Sequence, residues 1–159
     1  MSLGLSEQHA EELAPNVSAH MGEAYKPKSI VPDHVLRSLN QLKDHGYLMA
    51  VISNRDQAFH EELVSHNINE FFHFSLAAGE VGSFKPDPAI FHHALKRVNL
   101  EAQDVVYVGD NFYADVVGSR LAGLQPVLYD PDRLFPEADC AIITTFDDLL
   151  ITVKSLELL

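Results

Sequence analysis

Two carboxylates five residues apart, Asp110 and Asp115, directly follow the apolar run Val105-Val106-Tyr107-Val108-Gly109. A buried strand ending in glycine would deliver them to one sheet edge. There, carboxylate oxygens can hold Mg²⁺ and leave coordination positions for water and a phosphate oxygen. The same residues have a plainer use, in which Asp110 caps the next helix and Asp115 is solvated in its first turn. Upstream, Ile52-Ser53-Asn54-Arg55-Asp56 sets a hydroxyl and successive N–H groups behind another apolar run, suited to an anion or to a turn and helix cap. Between these segments lies Lys85, in the stiff sequence Lys85-Pro86-Asp87-Pro88. Its ammonium could neutralise an anionic substrate together with neighbouring carboxylates, or it is a surface charge beside a capping device.

In this order the three segments resemble the haloacid dehalogenase-like hydrolase superfamily. Ser53 matches its second motif, Lys85 its third, and Gly109-Asp110 through Asp115 its fourth, and the similarity runs from about Ile30 to the C-terminus. The resemblance implies a phosphoaspartyl or related ester intermediate. The first Asp of an Asp-x-Asp at the end of an N-terminal strand attacks the substrate, and the second serves as acid and base. It further implies that Ser53, Asn54 and Lys85 hold the phosphoryl group of a small phosphorylated metabolite. Asp110 then binds Mg²⁺, as in the phosphatase members, and Asp115 supports that site. Two other activities fit the same residues: a metal-independent 2-haloacid dehalogenase, which also uses Ser-Asn in its second motif, and a degenerate, non-catalytic binding or regulatory member.

The chain departs from the family pattern at its start. Residues 1–46 contain no apolar strand ending in Asp-x-Asp, and Asp33 follows Pro32, which marks a helix start instead. Asp130-Pro131-Asp132 follows the apolar Pro126–Tyr129, but it lies after the fourth motif, where the family has its last core strand. The expectation is a truncated hydrolase, nearly inactive alone and with a weakened metal site, because removing a covalent nucleophile forfeits most of a catalytic unit's rate.

The elements that must position these residues alternate along the chain. Val35, Leu36, Leu39 and Leu42 recur at helical spacing after Pro32-Asp33 and stop at Gly46, which predicts a helix over about 33–44. Tyr47–Ile52 reads as a strand buried on both faces, and a helix through Phe59, Leu63 and Val64 follows. Phe72–Ser75 is a second strand, Asp87-Pro88 opens a helix through Ile90, Phe91, Ala94, Leu95 and Val98, and Val105–Val108 is a third strand. A helix through Val116, Val117, Arg120 and Leu121 ends at Gly123. The strand Pro126–Tyr129 and a helix from Phe146 complete the series.

Such alternation predicts an α/β fold, a three-layer α/β/α sandwich with a mostly parallel Rossmann-like sheet and ligands at the carboxyl ends of its strands. Residues 29–159 form this core. Residues 1–28 read as a helical appendage, the remnant of a cap domain. In the family the first core strand lies between the Ser53 and Asp110 strands. Its absence leaves those two either to close on each other or to be bridged by a second chain, so a homo-oligomer is the expected assembly.

Composition agrees with such a domain. The 159 residues carry 23 acidic and 11 basic side chains, a formal charge of −12 that disfavours nucleic acid and anionic membranes as partners. Cys140 is the sole cysteine, the nine histidines show no zinc-site spacing, and the longest apolar runs are far too short to span a bilayer. A reducing, cytoplasmic setting is expected.

Overall fold

Pro32, extended at φ −63° and ψ 148°, starts the helix α1 (Asp33–Asp44). Asp33 in its first turn and Lys43 in its last complement the helix dipole, and Leu39 and Leu42 are buried on its inner face. Gly46, at φ +81°, then reverses the chain in the left-handed region that glycine tolerates. The computed structural model describes residues 30–156, so the expectation for residues 1–28 lies outside the described residues.

After α1 come β1 (Ala50–Ser53), α2 (His60–Ser65), β2 (Phe74–Ala77), the single turn α3 (Ala78–Val81) and α4 (Pro88–Val98). β3 (Val106–Gly109) leads into a π-helical turn over Phe112–Val117 and then α5 (Gly118–Leu121). The chain ends with β4 (Gln125–Tyr129), β5 (Ala141–Ile143) and α6 (Leu149–Leu156). α4 begins as its sequence predicts, with Pro88 in the first turn and the Asp87 carboxylate accepting from the Ala89 N–H at 2.9 Å.

All strand pairs are parallel. β1 pairs with β2, Ser53 opposite Ala77, while β4 lies between β3 and β5. Helices cover both faces. On one side α4 buries Ile90, Phe91 and Ala94 against Leu76, with Ile52 and Tyr107 packed on the cluster. On the other, Leu42 of α1 and Leu149 and Val153 of α6 enclose Val127 and Ile143, and Val106 and Val108 join them. Neighbouring residues of β3 thus enter opposite clusters, as the two-residue strand period requires. The architecture is the three-layer α/β/α sandwich.

Two expectations are corrected. The strand at Ala50–Ser53 is not buried on both faces: Ala50 is exposed and its other residues are half-buried. Among the described residues β1 is paired on one edge only, β1 and β3 are not hydrogen-bonded to each other, and the parallel sheet is in two pieces. Direct closure of the two strands is therefore not adopted. β5 was not expected as a strand, since three residues behind an irregular loop carry too little periodicity to show.

Candidate active site

Lys85 and Asp115 are the best-defined pair of the site. The Lys85 Nζ donates to Asp115 Oδ1 at 2.6 Å and to the Tyr107 hydroxyl at 2.9 Å. The two charged side chains are 11% and 4% exposed, so this is a buried ion pair rather than a surface one. Asp115 also accepts the Asn111 N–H at 3.0 Å through Oδ2, which satisfies its second oxygen.

Local backbone makes the pair possible. A side chain at Gly109 would fall on the Asp115 carboxylate, and one at Gly118 would meet the backbone of Pro86 at 2.8 Å. Glycine at these positions lets the π-helical turn fold back over the end of β3 and lets α5 approach the Lys85 loop. The loop is held from its other side by Asn54. Its amide donates to the Lys85 carbonyl at 2.8 Å and accepts the Lys85 N–H at 2.7 Å.

The structure thus joins Asn54, Lys85, Tyr107 and Asp115, and sets Ser53 and Asp110 at the ends of β1 and β3. Ser53 is half-buried and Asp110 is exposed. Neither plain use of the carboxylates holds. Asn111 is the cap, accepting the Ala114 N–H at 2.8 Å, and Asp115 is buried rather than solvated. Because Asp115 is engaged by Lys85, the two carboxylates do not act as an open pair. Among the described residues no three His, Cys, Asp or Glu side chains converge as a metal site.

Tyr107 had no role in the sequence reading. Burial pushes its phenol above the ordinary value, and the neighbouring Asp115 adds to the effect, so it remains a neutral hydroxyl between ammonium and carboxylate. The available signal was a polar tip in a valine strand, which needs a partner when buried. Asp130 is buried too, yet it serves a loop, accepting the Leu134 and Phe135 N–H groups at 2.9 and 2.8 Å. No helix of the described residues is long and apolar enough to cross a membrane.

Parallel strands between helical layers, with charged side chains gathered at their carboxyl ends, define the open α/β class of ligand-binding folds. The chain belongs to the haloacid dehalogenase-like hydrolase family, whose model matches residues 2–129. It is 37% identical over 97 residues to a glyceraldehyde 3-phosphate phosphatase of Methanopyrus kandleri, covering 60% of this chain and 41% of that one. It is 29% identical over 133 residues to a ribulose-1,5-bisphosphate 5-phosphatase of Halopiger xanaduensis, covering 80% and 55%. Among solved structures it resembles a 2-haloacid dehalogenase from Pseudomonas syringae at a TM-score of 0.72 and 26% identity, covering 96% of this chain and 65% of that one. The chain therefore spans about half or less of the length of these curated relatives.

Proposed function

We propose that this chain is the anion-holding part of a Mg²⁺-dependent phosphatase acting on a small phosphorylated metabolite, and that its nucleophilic carboxylate comes from outside the chain. The observation that carries this reading is the Lys85 ammonium, fixed at the carboxyl ends of the strands by Asn54, Tyr107 and Asp115. Two of its three N–H donors are spent on Tyr107 and Asp115, and the third is left for a phosphoryl oxygen. Ser53 would add a hydroxyl to the same anion. Asn54, with its amide committed to the Lys85 backbone, would act as the anchor of the loop rather than as a phosphate contact.

Asp110 is the described carboxylate free to meet Mg²⁺, with Asp115 behind it. Mg²⁺ commonly takes one or two carboxylates, with water and phosphate completing its shell. The metal would supply charge neutralisation of the phosphoryl group. Both named curated relatives are phosphatases, which favours this chemistry over dehalogenation.

The test is p-nitrophenyl phosphate turnover with Mg²⁺. Background rates for the chain alone, and turnover when an N-terminal strand bearing Asp-x-Asp is fused to it, are the expected results. Clear turnover by the unmodified chain, lost in Asp130→Asn, would overturn the reading in favour of a permuted nucleophile.

A further inference from the structure

We propose that Phe112 and Phe135 form an aromatic wall beside the anion-holding residues, fixed in place by Asp130, and that the phosphate ester taken here carries a flat apolar group next to its phosphoryl. The inference deepens the reading above and rests on Lys85 as the holder of the anion.

The wall adjoins the site through the chain itself. Phe112 opens the π-helical turn two residues after Asp110, and two residues span at most about 7 Å. Its ring lies almost parallel to that of Phe135, with centroids 5.3 Å apart and planes at 13°. Asp115, in the same turn, holds the Lys85 ammonium at 2.6 Å. One short segment thus carries Asp110, the ring and the partner of the ammonium. β3 and β4 are parallel neighbours, so this segment and the loop bearing Phe135 leave the sheet at the same carboxyl edge, where open α/β sheets bind ligands.

The loop that brings Phe135 across is built rather than slack. Asp130 follows β4, its N–H donates to the Ile143 carbonyl at 2.9 Å, and the residue is only 5% exposed. Both of its carboxylate oxygens are spent on this loop, accepting from the Leu134 and Phe135 N–H groups. Arg133, just before them, stands in the left-handed region at φ +54° and donates its N–H to the Asp130 carbonyl at 3.2 Å. A buried carboxylate and a left-handed arginine both oppose folding unless their surroundings hold them. Yet the residues they fix are apolar and open to solvent: Leu134 is 71% exposed and Phe135 41%. Such an arrangement sets an aromatic face at a chosen place instead of filling a core.

The extent of the surface favours a small molecule over a protein. Phe112 and Phe135 could offer at most about 250 Å² each, and part of that is already used between the two rings. Leu134 adds less. A stable protein interface takes about 800 Å² from each partner. A single planar group, stacked or set edge-on against one ring, matches the area on offer.

The experiment titrates the full chain in Mg²⁺ buffer with inorganic phosphate, methylphosphonate and phenylphosphonate, none of which has an ester to cleave, and follows nuclear magnetic resonance shifts. All three should move the signals of Asn54 and Lys85. Phenylphosphonate should also move the ring signals of Phe112 and Phe135 and bind about two- to tenfold more tightly than methylphosphonate. Phe135→Ala should bring that affinity ratio to one, and Phe135→Tyr should keep it. Because the two phosphonates are compared on each variant, a general loss of fold would lower both affinities and leave the ratio uninformed by the ring. Asp130→Asn retains one acceptor for the two N–H groups and should lower the ratio part-way; an unchanged ratio would remove Asp130 from the proposal as a positioning residue. Equal affinity for the two phosphonates in the wild type, or a preference that survives Phe135→Ala, would overturn the wall while leaving the anion site intact. Absence of shifts at Asn54 and Lys85 with every probe would overturn the anion site, and the wall with it.

Discussion

Leu128 and Ile52 are aliphatic side chains on parallel strands of one sandwich, yet Leu128 is fully buried and Ile52 is only half-buried. β4, which carries Leu128, has neighbours on both edges. β1, which carries Ile52, has one among the described residues. The difference shows that burial here is set by strand neighbours more than by side-chain type. The candidate site residues lie on the same strands, since Ser53 ends β1 and Asp110 follows β3. The candidate site is built on the less covered strands, and local opening is expected where few apolar groups are buried.

The largest effect should come from the junction of the two halves. Lys85→Ala would leave the Asp115 carboxylate buried without its cation, and breaking one partner of a buried pair typically costs about 3–5 kcal/mol. Urea unfolding should show that loss, and hydrogen exchange should accelerate first in β1 and β3 while β4 and β5 lag. Uniform acceleration through all four strands would break the distinction between the two pairs.

Next comes the paired test of the two strands. Leu128→Ala removes a fully buried side chain from a site closed on all sides and should cost about 2–5 kcal/mol. Ile52→Ala, half-buried at an open edge, should cost about half as much or less. Equal shifts in the urea midpoint would mean that the β1 edge is covered in solution.

Most of the fold was legible because its signals are local. Asp87-Pro88 starts α4, Pro32 and Gly46 bracket α1, and the apolar runs before Ser53 and Asp110 are strands. What was not legible depends on contacts between distant segments. The commitment of the Asn54 amide to the Lys85 backbone spans 31 residues and leaves no trace in either local pattern. The burial of Asp115 depends on Gly109 yielding space to it, and only the fold brings that carboxylate back to the strand end. Tyr107 was visible as a polar tip in an apolar strand, but its partner was not. The half-exposure of β1 was misread because a run of apolar residues reports a buried strand only when neighbours are present on both sides.

Gly109→Ala sharpens the comparison at the site itself. A methyl group there would fall on the Asp115 carboxylate, and overpacking of this kind typically costs about 1–3 kcal/mol. The expected signature is local: the nuclear magnetic resonance shifts of Tyr107 and Lys85 should move, while those of Val127 and Ile143 stay. Changes centred on β4 would show that β3 passes a change at the site on to the strand it is paired with.

The smallest effect belongs to the well-covered half. Arg37 on α1 makes a forked contact with Asp147, in the turn after β5, at 3.0 to 3.2 Å, and both side chains are solvent-exposed. The hydrogen bond from Arg37 holds the Asp147 carboxyl below its ordinary value of 3.8, with the charges of Arg37 and nearby His34 contributing less. A carboxylate whose folded pKa is depressed adds stability that is fully present above its unfolded pKa and lost as pH falls through the folded one. Wild type should therefore lead Arg37→Ala slightly in urea midpoint at neutral pH. The gap should close as pH falls below 3.8 and shrink with added salt, as for any exposed pair. Because α1 and the β4–β5 region already share a buried cluster, removal of this surface tie should leave hydrogen exchange in β4 unchanged. A gap that persists at low pH would assign the effect to packing of the Arg37 stem instead of to its charge.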